Sequence, residues 1–140
     1  MITISKDTEQ FVRHMEQHRD IIDDMDTKAW IENPFNICFV DDRGNYGLLN
    51  FVEQGIYDGH LFFVDKGRDA IKHAKKMLDY AFSIEGIEVM RGLVPLRYKA
   101  ARWFNRQIGQ KSFGTVFIDD EDCELFILTK KQHNKEKEDG

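Results

Sequence analysis

The chain has 140 residues, which is the size of a single domain with room for a hydrophobic core. Hydrophobic residues make up 41% and charged residues 32%, a balance typical of globular proteins. The net charge of −5 gives no support for nucleic-acid binding, and the absence of any apolar run near ~18 residues excludes a transmembrane helix.

The N-terminal sequence and the cysteines indicate where the protein works. Residues 1–7 lack the basic and apolar regions of a signal peptide. Cys38 and Cys123 lie far apart in strand-like sequence, so we expect two buried free thiols in a reducing compartment. No Cys and His residues have the spacing of metal ligands, so no metal is expected. These features predict a cytoplasmic protein.

The N-terminal region is predicted to be helical after a short strand at residues 2–5. Asp7 has the character of an N-cap, and Gln10 completes a capping-box pattern three residues later. Because the residue before Pro34 disfavours the α region, the helix must end before that point, and two helices or one bent helix are equally consistent with this. One helical stripe is formed by Phe11, Met15, His18, Ile22 and Met25.

Three strand candidates follow in quick succession, separated by turn signals at residues 42–45 and 54–55. The strands are predicted at residues 36–41, 46–53 and 56–64. Because the connections are short, we expect an antiparallel meander.

The second half of the chain alternates helices and strands. One face of a helix over residues 70–84 is marked by Ala70, Ala74, Met77 and Ala81. A strand is predicted at 87–93, and Pro95 is predicted to start a helix through residue 108, with Gly109 as its C′ residue. Two last strands, at 113–118 and 123–129, flank an acidic turn.

The element order defines the fold class. It is β-α-α-β-β-β-α-β-α-β-β, which predicts an α+β fold with a mixed central sheet flanked by helices. We expect one domain over residues 1–130. Residues 131–140 are polar and charged and are predicted to be a disordered tail.

The most informative segment runs from residue 57 to residue 70. An apolar strand there ends in a short turn of Lys66, Gly67 and Arg68, which leads directly into a helix. Such a junction brings together backbone N–H groups, a helix N-terminus and two cations, a combination that binds phosphate. The tripeptide alone is a common exposed turn, but in this setting we interpret it as the binding site of a phosphorylated cofactor.

The element order, with a phosphate-type turn after the fourth strand, resembles the GNAT superfamily of N-acetyltransferases. The segments V-D-K-G-R-D-A (64–70), V-P-L-R-Y-K-A-A-R-W-F (94–104) and I-G-Q-K-S-F-G (108–114) look most like small phage-encoded GNAT-like proteins. The resemblance implies a GNAT-like acyl-CoA N-acyltransferase fold and acetyl transfer from acetyl-CoA to an amine of a small molecule or protein. An alternative is a GNAT-fold protein without catalysis that binds CoA or a partner, as a phage accessory or virion component. A third interpretation is an α+β interaction module without affinity for CoA.

The resemblance also implies how acetyl-CoA is held. The pyrophosphate would lie on the N–H groups of residues 67–70, and the pantetheine arm would pair with the strand edge at residues 62–64 beside the following helix. The family loop has the form Q/R-x-x-G-x-G/A, and Asp69 stands here in place of a glycine, which would weaken anion binding. The implied cofactor residues are Phe62, Phe63, Val64, Lys66, Gly67, Arg68, Asp69, Ala70, Tyr98, Ala101 and Phe104.

The catalytic residues are less clearly indicated. Candidates for the general base are Glu53, Asp58 and His60 on the central strands, and His60 has the side chain that titrates near neutral pH. Alternation along residues 56–64 places Asp58, His60 and Phe62 on one face. The family commonly has a tyrosine four residues before a G-F pair. That count leads here to Asn105, whose amide donates a hydrogen bond but supplies no proton, and the pair itself is replaced by Gly109-Gln110. The sequence leaves the choice between monomer and homodimer open.

Overall fold

The structure is a computed structural model, and it describes residues 1–22, 24–64 and 66–139. Within these residues it has seven strands and six helices. The strands are β1 (Thr3–Ile4), β2 (Ile37–Val40), β3 (Tyr46–Glu53), β4 (Ile56–Phe62), β5 (Val89–Pro95), β6 (Lys111–Ile118) and β7 (Glu121–Thr129). The helices are α1 (Thr8–Glu16), α2 (Arg19–Ile22), α3 (Thr27–Glu32), α4 (Gly67–Ser83), α5 (Lys99–Gln107) and α6 (Lys130–Asp139).

All seven strands belong to one sheet, in the order β1-β2-β3-β4-β5-β7-β6. Strands β4 and β5 run parallel, and the other neighbouring strands are antiparallel. The meander of β2, β3 and β4 and the α+β class predicted from the sequence are confirmed. The crossover from β4 to the parallel β5 contains α4, as a parallel connection requires.

Helices cover both faces of the sheet, so consecutive strand residues enter different core clusters. Leu48 packs with α1 and α3, whereas Leu49 packs with α4. On β4, Phe62 belongs to the same cluster as Leu48, whereas Tyr57 and Leu61 pack against the cluster that contains Leu49. The predicted alternation along this strand is therefore confirmed. Cys38 and Cys123 are buried free thiols, also as predicted.

The N-terminal region contains separate helices. The Asp7 carboxylate accepts a hydrogen bond from the Gln10 N–H at 3.0 Å and caps α1, as predicted. Two residues of the predicted apolar stripe, Phe11 and Met15, are buried. Helix α1 ends at Glu16 with Gln17 as its C-cap, α2 is a single turn, and α3 begins after a new N-cap, Asp26.

The prediction of a helix beginning at Pro95 is wrong. Pro95 is the last residue of β5 and lies opposite Cys123 of β7. The Leu96 N–H donates to the Asp122 carbonyl at 3.1 Å, so the chain leaves the sheet only after this bond and α5 begins at Lys99. The strand β5 was predicted at residues 87–93 and is observed at Val89–Pro95. Its pairing with β4 starts at this point because the Glu88 and Val89 N–H groups both donate to the Gly55 carbonyl.

The C-terminal region is a helix rather than the predicted disordered tail, and Gly140 lies outside the described residues. His133 of α6 is buried, stacks on Phe82 and hydrogen-bonds Asp79 of α4 at 2.7 Å. Composition missed this helix because the helix is polar on nearly every side and is held by tertiary contacts.

A buried carboxylate anchors α5 to the sheet. Glu124 of β7 receives hydrogen bonds from Arg102, Arg106 and Ser112. Burial alone would raise the pKa of Glu124, but the bonds from Arg102 and Ser112 and the charge of Arg106 lower it overall. Removing the carboxylate would leave these cations without their partner, so the network orients α5.

His14 provides a test of the packing of α1. Its ring stacks on Tyr46 with centroids 3.7 Å apart, and its Nε2 is buried without a hydrogen-bond partner among the described residues. Burial, and then the charge of His18, lower the pKa of His14 from 6.5 to about 4. The unfolded chain therefore binds the proton more readily than the folded chain does. The stability that this site contributes is lost as the pH falls below the pKa of free histidine.

We expect His14→Phe to reduce the loss of stability between about pH 7 and pH 4.5, measured by urea unfolding. An equal loss in both proteins would contradict this.

Candidate cofactor and catalytic site

The sheet opens between its two parallel strands. β4 and β5 pair at three positions, the last being Asp58 with Arg91. Both strands continue beyond this point, β4 to Phe62 and β5 to Pro95. The opening lies at the carboxyl ends of parallel strands, where α/β proteins bind ligands.

Two helix N-termini face this end of the sheet. α4 follows β4 and α5 follows β5. Within the described residues no side chain caps either helix, whereas Asp7 caps α1 and Asp26 caps α3. Uncapped N–H groups and the positive ends of two helix dipoles favour an anionic ligand here.

The predicted phosphate turn leads into α4. Lys66, Gly67, Arg68 and Asp69 are exposed, and Ala70 is buried as the first core residue of the helix. Gly67 has a φ of +64°, and a Cβ at this position would meet nothing within 4 Å. The backbone is therefore open to a ligand, and the two cations flank it. Asp69 lies in the first helical turn, where it favours the dipole but opposes an anion.

A buried asparagine holds the entrance to this turn, and sequence reasoning missed it. The Asn45 Oδ1 accepts the Val64 N–H at 2.8 Å, and its Nδ2 donates to the Asp41 carboxylate at 2.8 Å. Asn45 is fully buried. An Asn after a glycine reads as an ordinary turn residue, so no local signal distinguishes this one.

We expect Asn45→Ala to weaken the CoA binding that the resemblance implies about tenfold and to lower the stability by about 1–3 kcal/mol, because the Val64 N–H loses its acceptor. Asn50→Ala is the matched control, since Asn50 lies on β3, the strand that follows Asn45, and its Oδ1 accepts a hydrogen bond from the Trp30 indole instead. Calorimetric binding and thermal unfolding of both variants test this. Equal CoA affinity in the two variants would show that Asn45 serves only stability.

The edge of β4 toward the opening presents alternate backbone groups. The Gly55 carbonyl accepts hydrogen bonds from Glu88 and Val89 on the β5 side, whereas the Val64 N–H donates to Asn45 on the β3 side. Because backbone groups of alternate residues point to opposite edges, Leu61 and Phe63 present theirs to the opening. Of the three predicted residues 62–64, Phe63 has the orientation needed to pair with a ligand amide, whereas the Val64 N–H is already bonded.

A cavity of about 500 Å³ is bounded by α2 and by the start of α5, the helix that follows β5. Its lining residues are Ile21, Arg97, Tyr98, Lys99, Ala100 and Ala101. The structure thus brings the predicted Tyr98 and Ala101 to one cavity. The Tyr98 hydroxyl accepts a hydrogen bond from Arg97 at 3.0 Å. Phe104 lies deeper in α5 and contacts Phe63, with ring centroids 5.7 Å apart.

His60 stands two residues beyond the last pair of β4 with β5, and its ring reaches solvent. Desolvation by the surrounding protein lowers the pKa of His60, and the Asp58 carboxylate opposes this less strongly. His60 is therefore a neutral imidazole near pH 7 and is able to accept a proton.

The two carboxylate candidates are differently placed. Asp58 accepts hydrogen bonds from the Arg91 Nε at 2.8 Å and Nη2 at 3.2 Å, so both of its oxygens are engaged. Glu53 is the last residue of β3 and lies opposite Ile56, the first residue of β4, four positions before His60. Arg91 was missed by sequence reasoning, although a cation inside an apolar strand is a signal for a buried partner.

Asn105 lies on α5 and donates its side-chain amide to the Ala101 carbonyl of its own helix at 2.8 Å. This hydrogen bond directs the amide along the helix. The Asn105 amide could donate to a leaving thiolate only after its hydrogen bond to the Ala101 carbonyl had broken.

No protein-family model matches the sequence, and neither does any curated protein. Solved structures match closely in shape. A mutant of spermidine N-acetyltransferase SpeG from Vibrio cholerae is 12% identical with a TM-score of 0.73, covering 98% of this chain and 99% of that chain. The aminoglycoside acetyltransferase AAC(6')-Ib with coenzyme A is 10% identical with a TM-score of 0.73, covering 98% and 99%. The chain has the GNAT acetyltransferase fold.

An acetyltransferase of the GNAT family from Bacillus anthracis is similar as well, at 11% identity and a TM-score of 0.64, covering 93% of this chain and 95% of that chain. The GNAT fold predicted from the sequence is confirmed, and at these identities the likeness is one of fold. Among the described helices, none is long and apolar enough to cross a membrane. Across residues 1–22, 24–64 and 66–139, no three His, Cys, Asp or Glu side chains are grouped to hold a metal ion.

Proposed function

We propose that the protein is an acetyl-CoA-dependent N-acetyltransferase that transfers an acetyl group to an amine of a small molecule or protein. The observation that carries the proposal is the opening between β4 and β5, with an uncapped helix N-terminus after each strand. One protein of the same fold is known in complex with coenzyme A.

The turn before α4 supplies the groups for the pyrophosphate. Lys66 and Arg68 would provide positive charge, and the N–H groups from Gly67 to Ala70 belong to the N-terminal turn of α4, where a helix favours anions. The backbone of Leu61 and Phe63 would pair with the amides of the pantetheine arm. Ala101 is small and exposed, which leaves room beside α5 for the arm.

Acetyl-CoA supplies an activated acyl group as a thioester. His60 would take the proton from the incoming ammonium, directly or through one water, because its imidazole is neutral and accessible. Arg91 fixes the Asp58 carboxylate, so Asp58 acts on His60 as a nearby negative charge rather than as the base. The N-terminus of α5 would stabilise negative charge on the departing thiolate, and the second proton that the amine nitrogen loses on becoming an amide would reach this thiolate through water.

A second candidate is a GNAT-fold protein that binds CoA or a protein partner without catalysis, as a phage accessory or virion component. Asn105 favours it, since it stands where the resemblance leads one to expect a proton-donating tyrosine and is bonded to Ala101. The phage connection remains a prediction from the sequence.

Release of free CoA thiol from acetyl-CoA distinguishes the two candidates. The acceptors should include spermidine and kanamycin, because proteins of this fold act on or bind them, and a lysine-containing peptide. We expect amine-dependent thiol release with at least one acceptor class. CoA binding without thiol release for any amine would favour the inactive candidate.

A further inference from the structure

Strand β6 is the outer strand of the sheet, and all eight of its residues are exposed. Phe117 is 69% exposed, Phe113 64% and Ile118 42%. Natural proteins usually protect a sheet edge with charge, proline or a cover, and here Lys111 is the one charged residue of the strand. An exposed strand of this composition indicates a binding surface.

The backbone of β6 offers hydrogen bonds on its outer side. Asp119 and Asp120 have φ of +52° and +60° and form a two-residue turn closed by Ile118 and Glu121. In such a turn the closing pair is hydrogen-bonded, so Ile118 and Val116 direct their backbone groups to β7. Thr115 and Phe117 therefore direct theirs outward. The irregularity between Ser112 and Thr115 limits this regular edge to four residues.

Opposite charges lie at the two ends of β6. At one end, residues 119–122 carry four carboxylates, of which Glu121 pairs with Arg97. At the other end, Lys111 contacts Glu136 of α6 at 2.5 Å. Lys111 and α6 together contain five lysines against three acidic residues.

We propose that β6 pairs antiparallel with β6 of a second copy of this chain, which joins the two sheets into one. A two-fold axis near Val116 would place Thr115 opposite Phe117 of the partner subunit, and the outward backbone groups of both would bond. The same axis brings the acidic turn of each copy to the lysine-bearing end of the other. This charge complementarity selects a second copy over an unrelated strand. Because the regular edge is short, the dimer is reversible, with a dissociation constant of about 1–100 μM.

Sedimentation equilibrium of the full chain tests the proposal, with three variants. Phe117→Lys places a charge at the paired edge and should give a monomer at all concentrations. Asp119→Asn with Asp120→Gly removes two charges while providing a favourable turn sequence, and should weaken association about tenfold. Thr3→Lys places the same kind of charge on the opposite sheet edge and should leave the dimer intact.

Thermal unfolding and CoA binding of Phe117→Lys serve as the check on folding, since the side chain is exposed and lies outside the proposed cofactor site. A monomeric wild-type protein up to about 100 μM would overturn the proposal. So would a Phe117→Lys variant that dimerises like the wild type.

Discussion

We expect Arg68→Glu to abolish detectable CoA binding and to leave the protein folded. Arg68 is exposed in the first turn of α4, so its replacement disturbs no core contact, and a carboxylate there favours the helix dipole. Reversing the charge removes an attraction to the pyrophosphate and adds a repulsion in its place. We expect the dissociation constant to rise at least about 100-fold, which corresponds to about 2.7 kcal/mol.

The matched control is Lys75→Glu, which makes the same type of charge reversal at an exposed residue about 10 Å further along the same helix. It should change the CoA affinity less than about threefold, because screening weakens exposed charges at that distance. Calorimetric titration gives the affinities and thermal unfolding gives the stabilities. Similar affinities for both variants would mean that the turn at residues 66–70 does not hold the phosphates.

We expect His60→Gln to lower the rate of the proposed acetyl transfer about 100-fold or more without changing the CoA affinity, because a positioned base contributes about that factor. Glutamine keeps a polar side chain of similar size but does not accept the proton. Initial rates of thiol release, with CoA affinity measured in parallel, separate the chemical step from binding. His73→Gln is the control, since His73 lines a different cavity. A variant with wild-type rates would exclude His60 as the base.

The pH dependence of the rate follows from the same residue. His60 acts only when neutral, and desolvation lowers its pKa below the ordinary 6.5. The acidic limb of the rate profile should therefore have its midpoint below that value, and activity should persist at slightly acidic pH. In His60→Gln this limb should disappear. A midpoint above the ordinary value would indicate a different base.

The sequence was sufficient to predict the fold and the turn at residues 66–68 that leads into α4. Alternation of apolar residues marked the meander, and the Lys-Gly-Arg turn lay between an apolar strand and an amphipathic helix. Both signals depend only on neighbouring residues, so they are visible in a single sequence. The end of β5 and the helix α6 were not predicted, because Pro95 is held by β7 and His133 by α4.

The arrangement of the site was predicted less completely. His60 could be named as a candidate, but its neutrality depends on neighbouring elements. Asp58 looked equivalent to His60 until the structure showed its bonds to Arg91, which lies 33 residues later. Asn45 carried no signal as a residue that orders the phosphate turn. Such contacts join distant parts of the chain, and periodicity does not report them.

Calorimetric titration of the purified protein with CoA and with acetyl-CoA is the decisive test of the proposed cofactor site. We expect binding of about one equivalent with a micromolar dissociation constant, and we expect this binding to be lost in Arg68→Glu. Absence of binding up to about millimolar concentration would contradict it. The chain would then have the GNAT fold without its cofactor site, and its function would have to be sought in binding to a partner.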